Sequence, residues 1–237
     1  MKKLYAFTLI LVLGLTSCST LKDLGLEPTK LETIAAIKQV LNSSAFRAVN
    51  TLRKLNKNGV DGFVPSELQP VLAKLKSVGL GKDIDKVEQS ITRVSKIMAN
   101  ESEGIINDAV KELKFKDAVK IVVGGENAAT NALKGVMYST VKKRYSTKIE
   151  KELGKTEALE YWPLAAKAYN LFSNKKVDSS LPDFMAERAV DALFLSMGKE
   201  ESKIRQDPKK LGKQVVTKVF DYYAKNKKKK ASAKSRG

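Results

Sequence analysis

Histidine is absent from the chain, and cysteine occurs once, at position 18. The first absence removes Ser-His-Asp and Cys-His catalysis, imidazole-bound zinc and any histidine pH switch. The second removes an intramolecular disulfide and a cysteine-rich metal centre. Glycine (14) and proline (6) are thin over 237 residues, which argues against a turn-rich β architecture. Acids are scarce beside bases: 26 Asp and Glu face 44 Lys and Arg, for a net charge of +18. Apolar residues are abundant, at 43%, enough for a core and too many for wholesale disorder. We expect no cofactor, no metal and no assigned catalytic residue.

Lys2 and Lys3 precede an apolar run from Leu4 to Leu15. At 1.5 Å per residue this run is too short to cross a hydrocarbon core of roughly 30 Å. Its layout is that of a secretory signal peptide. It ends in Leu15-Thr16-Ser17-Cys18, which resembles a bacterial lipobox: a branched apolar residue, two small ones, then cysteine. The resemblance implies cleavage after residue 17 and acylation of Cys18; the rival reading is a plain signal peptide with a chance cysteine. Ser19, rather than Asp, follows the cysteine, and by resemblance to diderm sorting rules this favours the outer membrane. Residues 1–17 carry two lysines and no acid, so the processed chain has 220 residues and a charge of +16. Seven of those positive charges follow Asp221, with no acid among them, and the body without them is still +9.

The remaining chain is organised as a tether over 18–28, a helical domain over 29–223 and a lysine-rich tail over 224–237, expected to be disordered because it has little apolar surface to bury. Thr29 with Glu32 forms a capping box. Ile34, Ile37, Leu41, Ala45, Ala48, Leu52 and Leu55 then recur at helical spacing, until Asn58-Gly59 and Asp61-Gly62 break the pattern. A second helix runs from Ser66 to a C′ glycine at Gly79, with Leu68, Leu72 and Leu75 inward. Asp83 is the expected cap of a long third helix carrying Ile84, Val87, Ile91, Val94, Met98, Ile105, Ala109 and Leu113. A short helix reaches Val123. Asn127 is positioned to cap the next one, with Ala129, Leu133, Val136, Met137 and Val141 inward. Helices over 156–172, with Pro163 inside, over 182–205, and from Asp207-Pro208 onward complete the pattern. No stretch alternates with period two for long enough to be a strand. The fold class is all-α, a single multi-helix bundle.

Three strings stand in order in the C-terminal half: Asp117-Ala118 leading to Gly124-Gly125-x-x-Ala128-Ala129-Thr130; Ala189-x-x-Ala192-Leu193-Phe194; and Glu200-Glu201-x-x-Ile204-Arg205-x-x-Pro208, ending in Val219-Phe220. Pro65-x-x-Leu68 and Val78-Gly79-Leu80-Gly81 precede them. Over roughly residues 30–220 the chain resembles the bacterial family known as domain of unknown function 4197. Members are exported, helical and often lipoproteins, so the resemblance implies a fold and a compartment and no particular reaction. It departs from the family at Ile91-Thr92-Arg93-Val94-Ser95-Lys96, where relatives tend to carry Met-Asn-Arg-Ala-Ala-Glu.

The candidate polar cluster is Asp117, Thr130, Asp191, Glu200, Glu201 and Arg205. Glu201 and Arg205 are four apart and meet on one helical face, so structural pairing is the leading reading. A hydrolase would need two carboxylates from Asp117, Asp191, Glu200 and Glu201 converging across a cleft. Gly124-Gly125 reads as a turn needing a left-handed glycine, with an anion cradle as the rival. Asp117 reads as a cap, and Ala128-Ala129-Thr130 as small residues for close packing. Trp162 reads as core, with a carbohydrate-stacking platform as the rival. Lys227, Lys228, Lys229 and Lys230 suit phosphates, but an exported protein meets anionic lipid and cell-wall polymer rather than nucleic acid. The expectation is a lipid-anchored envelope binding or scaffolding module at the outer membrane, facing the periplasm. The alternatives are a carrier enclosing an apolar ligand and a carboxylate-dependent hydrolase.

Overall fold

In the computed structural model the described residues are 26–55, 69–154 and 156–234, without the side chains of 55 and 228–234. The expected signal peptide, Cys18 and most of the tether lie outside them, as do the breaks at 58–62 and the start of the second helix.

The described chain is helical throughout, with no strand. Helix α1 spans Lys30–Leu55, α2 Gln69–Leu75, α3 Gly81–Glu112, α4 Ala118–Val123, α5 Ala128–Leu153, α6 Ala158–Phe172, α7 Leu181–Gln206 and α8 Gln214–Lys234. A kink over Lys76–Leu80, with Val78 and Gly79 outside helical geometry, joins α2 to α3, and a 3-10 turn over Pro208–Leu211 precedes α8. The odd-numbered helices are the long ones, 26, 32, 26 and 26 residues, or roughly 39–48 Å each. They pack as a closed ring: α1 on α3, α3 on α5, α5 on α7, and α7 back on α1. The even-numbered helices cover its flanks, with α8 on α1 and α4, and α6 on α3, α2 and α7.

Local sequence accounts for most boundaries. The α1 capping box closes as expected: the Thr29 amide donates to Glu32 Oε2 at 2.9 Å, and the Glu32 amide to Thr29 Oγ1 at 3.2 Å. Gly79 sits at φ +102°, the left-handed turn that ends the second segment. Asp83 does not cap α3. The helix begins at Gly81, so Asp83 lies in its first turn, where a negative charge still favours the positive end of the helix. Ser180 caps α7, followed by Pro182 in its first turn.

The buried faces follow the periodicity. Ile37 and Leu41 of α1, Ile84 and Ile91 of α3, and Leu133 and Ile149 of α5 are fully buried. On α5 the inward positions step by four, at 129, 133, 137, 141, 145 and 149. Val136 falls off this stripe and is 65% exposed, contrary to the sequence expectation. Trp162 is fully buried, donates from Nε1 to the Asp178 carbonyl at 3.0 Å and packs on Phe184 at 4.8 Å, so it is core and offers no stacking platform.

The last helix differs from expectation at its start. Gly212, at φ +68°, ends the 3-10 turn, so Leu211 lies outside α8. The described helix runs to Lys234. Lysine and alanine are good helix formers, and the packed turns around Val216, Val219 and Phe220 supply the nucleus that an isolated tail would lack.

Ser146 on α5 donates to Asp183 Oδ1 on α7 at 2.7 Å. The hydroxyls of Ser146 and then Ser180 hold the Asp183 carboxyl below its ordinary value of 3.8. A carboxyl depressed by folding contributes stability above its unfolded pKa and loses it as pH falls through the folded one. Ser146→Ala should therefore lower Tm at pH 7 and lower it much less near about pH 2, where the carboxyl is protonated. Thermal melts at the two pH values check this, and an equal penalty at both would contradict it.

Candidate functional site

Helix α5 begins without an acid in its first turn, and Asn127, at its N-cap, makes no side-chain cap bond. The cap comes instead from α7. Glu201 is fully buried; its Oε1 accepts from the Ala129 amide at 2.9 Å and its Oε2 from the Thr130 amide at 2.6 Å. A carboxylate there satisfies two of the orphaned N–H groups and faces the positive end of the helix dipole. Oε1 also accepts from Arg205 Nε at 2.7 Å. The same guanidinium donates from Nη1 to the Val122 carbonyl at 2.8 Å and from Nη2 to the Ile121 carbonyl at 3.0 Å, closing the C-terminal end of α4. Its central carbon lies over the Phe220 ring of α8, 5.0 Å from the centroid. One ion pair thus ties the end of α4, the start of α5, the end of α7 and the first turns of α8.

The connection between α4 and α5 is built for close approach. Gly124 has φ −68°, so the expected left-handed glycine is absent there. A Cβ at Gly124 would meet the Ala128 Cβ at 2.8 Å and the Lys120 carbonyl at 3.1 Å, so space is what demands glycine. The rival anion cradle is filled from inside the protein by the Glu201 carboxylate.

Of the six polar residues singled out from sequence, the structure brings together Thr130, Glu201 and Arg205. Thr130 is buried, and its Oγ1 has no partner among the described residues. Asp117 caps the opposite end of α4, accepting from the Lys120 amide at 2.9 Å. Glu200 points away from Glu201 and pairs with Lys203 at 2.6 Å. Asp191 is half-exposed on α7 and pairs with Lys134 of α5 at 3.2 Å. Next to it, burial first and the Asp191 carboxylate second push the Tyr138 hydroxyl up to about 12. These carboxylates do not converge. Glu201 has both oxygens committed to backbone amides and Arg205, and Asp117, Asp191 and Glu200 act at separate places. The cap supplied by Glu201 over 71 residues of sequence was missed. The signal available was the acid-free first turn of α5.

Beside the ion pair, α5 and α7 border an open groove of about 540 Å³ over Gly198. No group of three or more metal-ligating side chains occurs among the described residues.

The family model for a protein of unknown function, DUF4197, matches residues 27–221. The chain belongs to this family. The match begins just before the α1 capping box, ends in α8 just after Phe220, and so contains the whole Glu201–Arg205 joint. No curated protein and no solved structure matches the chain.

Glu201→Gln is expected to lower the unfolding free energy by about 3 kcal/mol or more, because it leaves a buried guanidinium facing a neutral group. Urea unfolding measures this. A loss below about 1 kcal/mol would mean that the pair behaves like a surface ion pair.

Proposed function

We propose that this DUF4197 protein is a lipid-anchored cell-envelope module, non-enzymatic, that holds its helical bundle against an anionic surface. The observation that carries the reading is where α8 runs. Lys218 pairs with Glu32 at 2.6 Å, so α8 passes the start of α1. Tyr223, five residues on, lies close enough to Thr33 and Glu27 for both to act on its hydroxyl. The start of α1 and the later turns of α8 therefore lie at one end of the body. From Cys18 to Lys30 is 12 residues, a reach of at most about 40 Å. From Ala224 to Lys234 the helix extends roughly 16 Å further. Lys225 and Lys227 are exposed on it, and Lys228, Lys229 and Lys230 follow in sequence.

An acyl anchor and a lysine-rich rod at one end act together. Stable membrane residence takes more than one acyl chain, or one chain with a basic patch. Each lysine near an anionic leaflet contributes about 1 kcal/mol, within a screening length of about 8–10 Å. The lipobox at 15–18 supports the anchor, and the absence of acids after Asp221 supports the patch. No helix among the described residues is long and apolar enough to cross a membrane. The carrier alternative has no observation in its favour, since four grooves on the described body, that between α5 and α7 among them, are open and bordered by charged side chains.

The test is fractionation and mass spectrometry of the expressed protein, followed by vesicle sedimentation. We expect a diacyl or triacyl mass at Cys18, loss of membrane residence in Cys18→Ser, and salt-sensitive binding of Cys18→Ser to vesicles containing phosphatidylglycerol. Changing Lys227, Lys228, Lys229 and Lys230 to Gln should weaken that binding by about 100-fold or more. An unacylated chain recovered with its leader uncut would overturn the anchor. Equal binding to neutral vesicles would overturn the docking.

A further inference from the structure

The groove between α5 and α7 has a composition that the ion pair beneath it does not explain. Asn127, just before α5, and Asn131 on it border one side, and Ser202 and the exposed Lys199 border the other from α7. Asn is among the best N-cap residues, yet Glu201 has taken that duty, and the Asn127 amide is left to accept from Asn131 Nδ2 at 3.2 Å. The floor is Gly198, inside a 26-residue helix. Glycine there is less favourable than alanine by about 1 kcal/mol. A Cβ would meet only ordinary contacts, Asn127 Cβ at 3.4 Å and Nδ2 at 3.5 Å. Neither helix propensity nor crowding accounts for it, and its effect is to keep the floor at backbone height.

Charge decides the class of ligand. Three ammonium groups, Lys134, Lys199 and Lys203, stand at the groove; carboxylates pair with Lys134 and Lys203, and a third carboxylate, Glu126, lies at the rim. Asp191 pairs with Lys134, Glu200 with Lys203, and Glu126 accepts from Ser202 at 3.0 Å. The site is electrically balanced. The amides of the α5 N-terminus that would draw an anion are covered by Glu201. What remains is a dense alternation of donors and acceptors beside an apolar shelf at Leu195, which is 64% exposed. Paired amides bond vicinal hydroxyls or acetamido groups, and the shelf suits the apolar face of a sugar ring.

We propose that the α5–α7 groove is a binding site for an uncharged polyhydroxylated ligand, a saccharide chain. The site is made of α5, the turn before it and α7, and stands whether or not the body is anchored or docked through α8.

The test is titration of the 15N-labelled protein with chitotetraose, an uncharged N-acetylhexosamine oligomer, with inorganic phosphate as the anionic control. Saturable shifts of the Gly198 backbone amide and the Asn127 and Asn131 side-chain amides are expected with the oligosaccharide and not with phosphate. Gly198→Leu, which fills the floor, should abolish them. Asn131→Ala, an exposed change with no packing role, should weaken binding by roughly three- to tenfold. Circular-dichroism melts establish that each variant is folded, and Asn131→Ala alone decides the matter if Gly198→Leu is not. Absence of shifts with chitotetraose, shifts unchanged in the folded variants, or preferential saturation by phosphate would each overturn the proposal.

Discussion

The architecture depends on a carboxylate and a guanidinium one helical turn apart on α7. Glu201 and Arg205 close two helix termini: the start of α5, where no local side chain caps, and the end of α4, where the Gly124 amide also reaches the Ile121 carbonyl at 3.4 Å. Such a pair is not automatically a source of net stability, because desolvating two charges costs about as much as their attraction returns. Its effect is positional. Each oxygen and each guanidinium nitrogen has an assigned partner, so α4 and α5 cannot slide or rotate against α7 without exposing an unmatched charge or an orphaned backbone group. The α5–α7 groove inherits its width and floor from that constraint.

Much of the fold is legible in the residues themselves. The Thr29–Glu32 box, the turn at Gly79, the cap at Asp117 and the stripes on α1 and α3 are local patterns, and local patterns are what spacing reports. The Glu201–Arg205 contact was legible for the same reason, four residues on one helix. Its real partners were not, since they lie 71 to 84 residues away and depend on how helices pack. Asn127 shows the limit well: the residue type and position both say cap, and a better acceptor from another helix takes the role. Gly124 makes the same point with space in place of charge. Its glycine is required by the approach of Ala128, which no dihedral preference could reveal. Val136 was assigned inward because 3- and 4-residue steps both fit the sequence, and packing selected the pure 4-residue step.

The charge of the chain also has an architecture. Within the bundle many bases are matched across helices, as in Arg144 with Glu112 and Lys142 with Glu187. The unmatched surplus is carried outward by α8, whose first turns are buried and whose later turns hold no acid. Composition alone reported a strongly basic protein. The structure separates a body whose cations are largely paired across helices, though still basic, from a rod whose later turns hold no acid, and it sets that rod beside the start of α1.

The Phe220 ring is a roof over the guanidinium. With it in place, the joint below works in a poorly polarisable setting, where opposite charges attract strongly. A chain trimmed upstream of that ring would lose more than a terminal helix. Water would wet the joint, its attraction would sink to the level of an ordinary surface contact, and the first turn of α5 would fray although its own sequence was untouched.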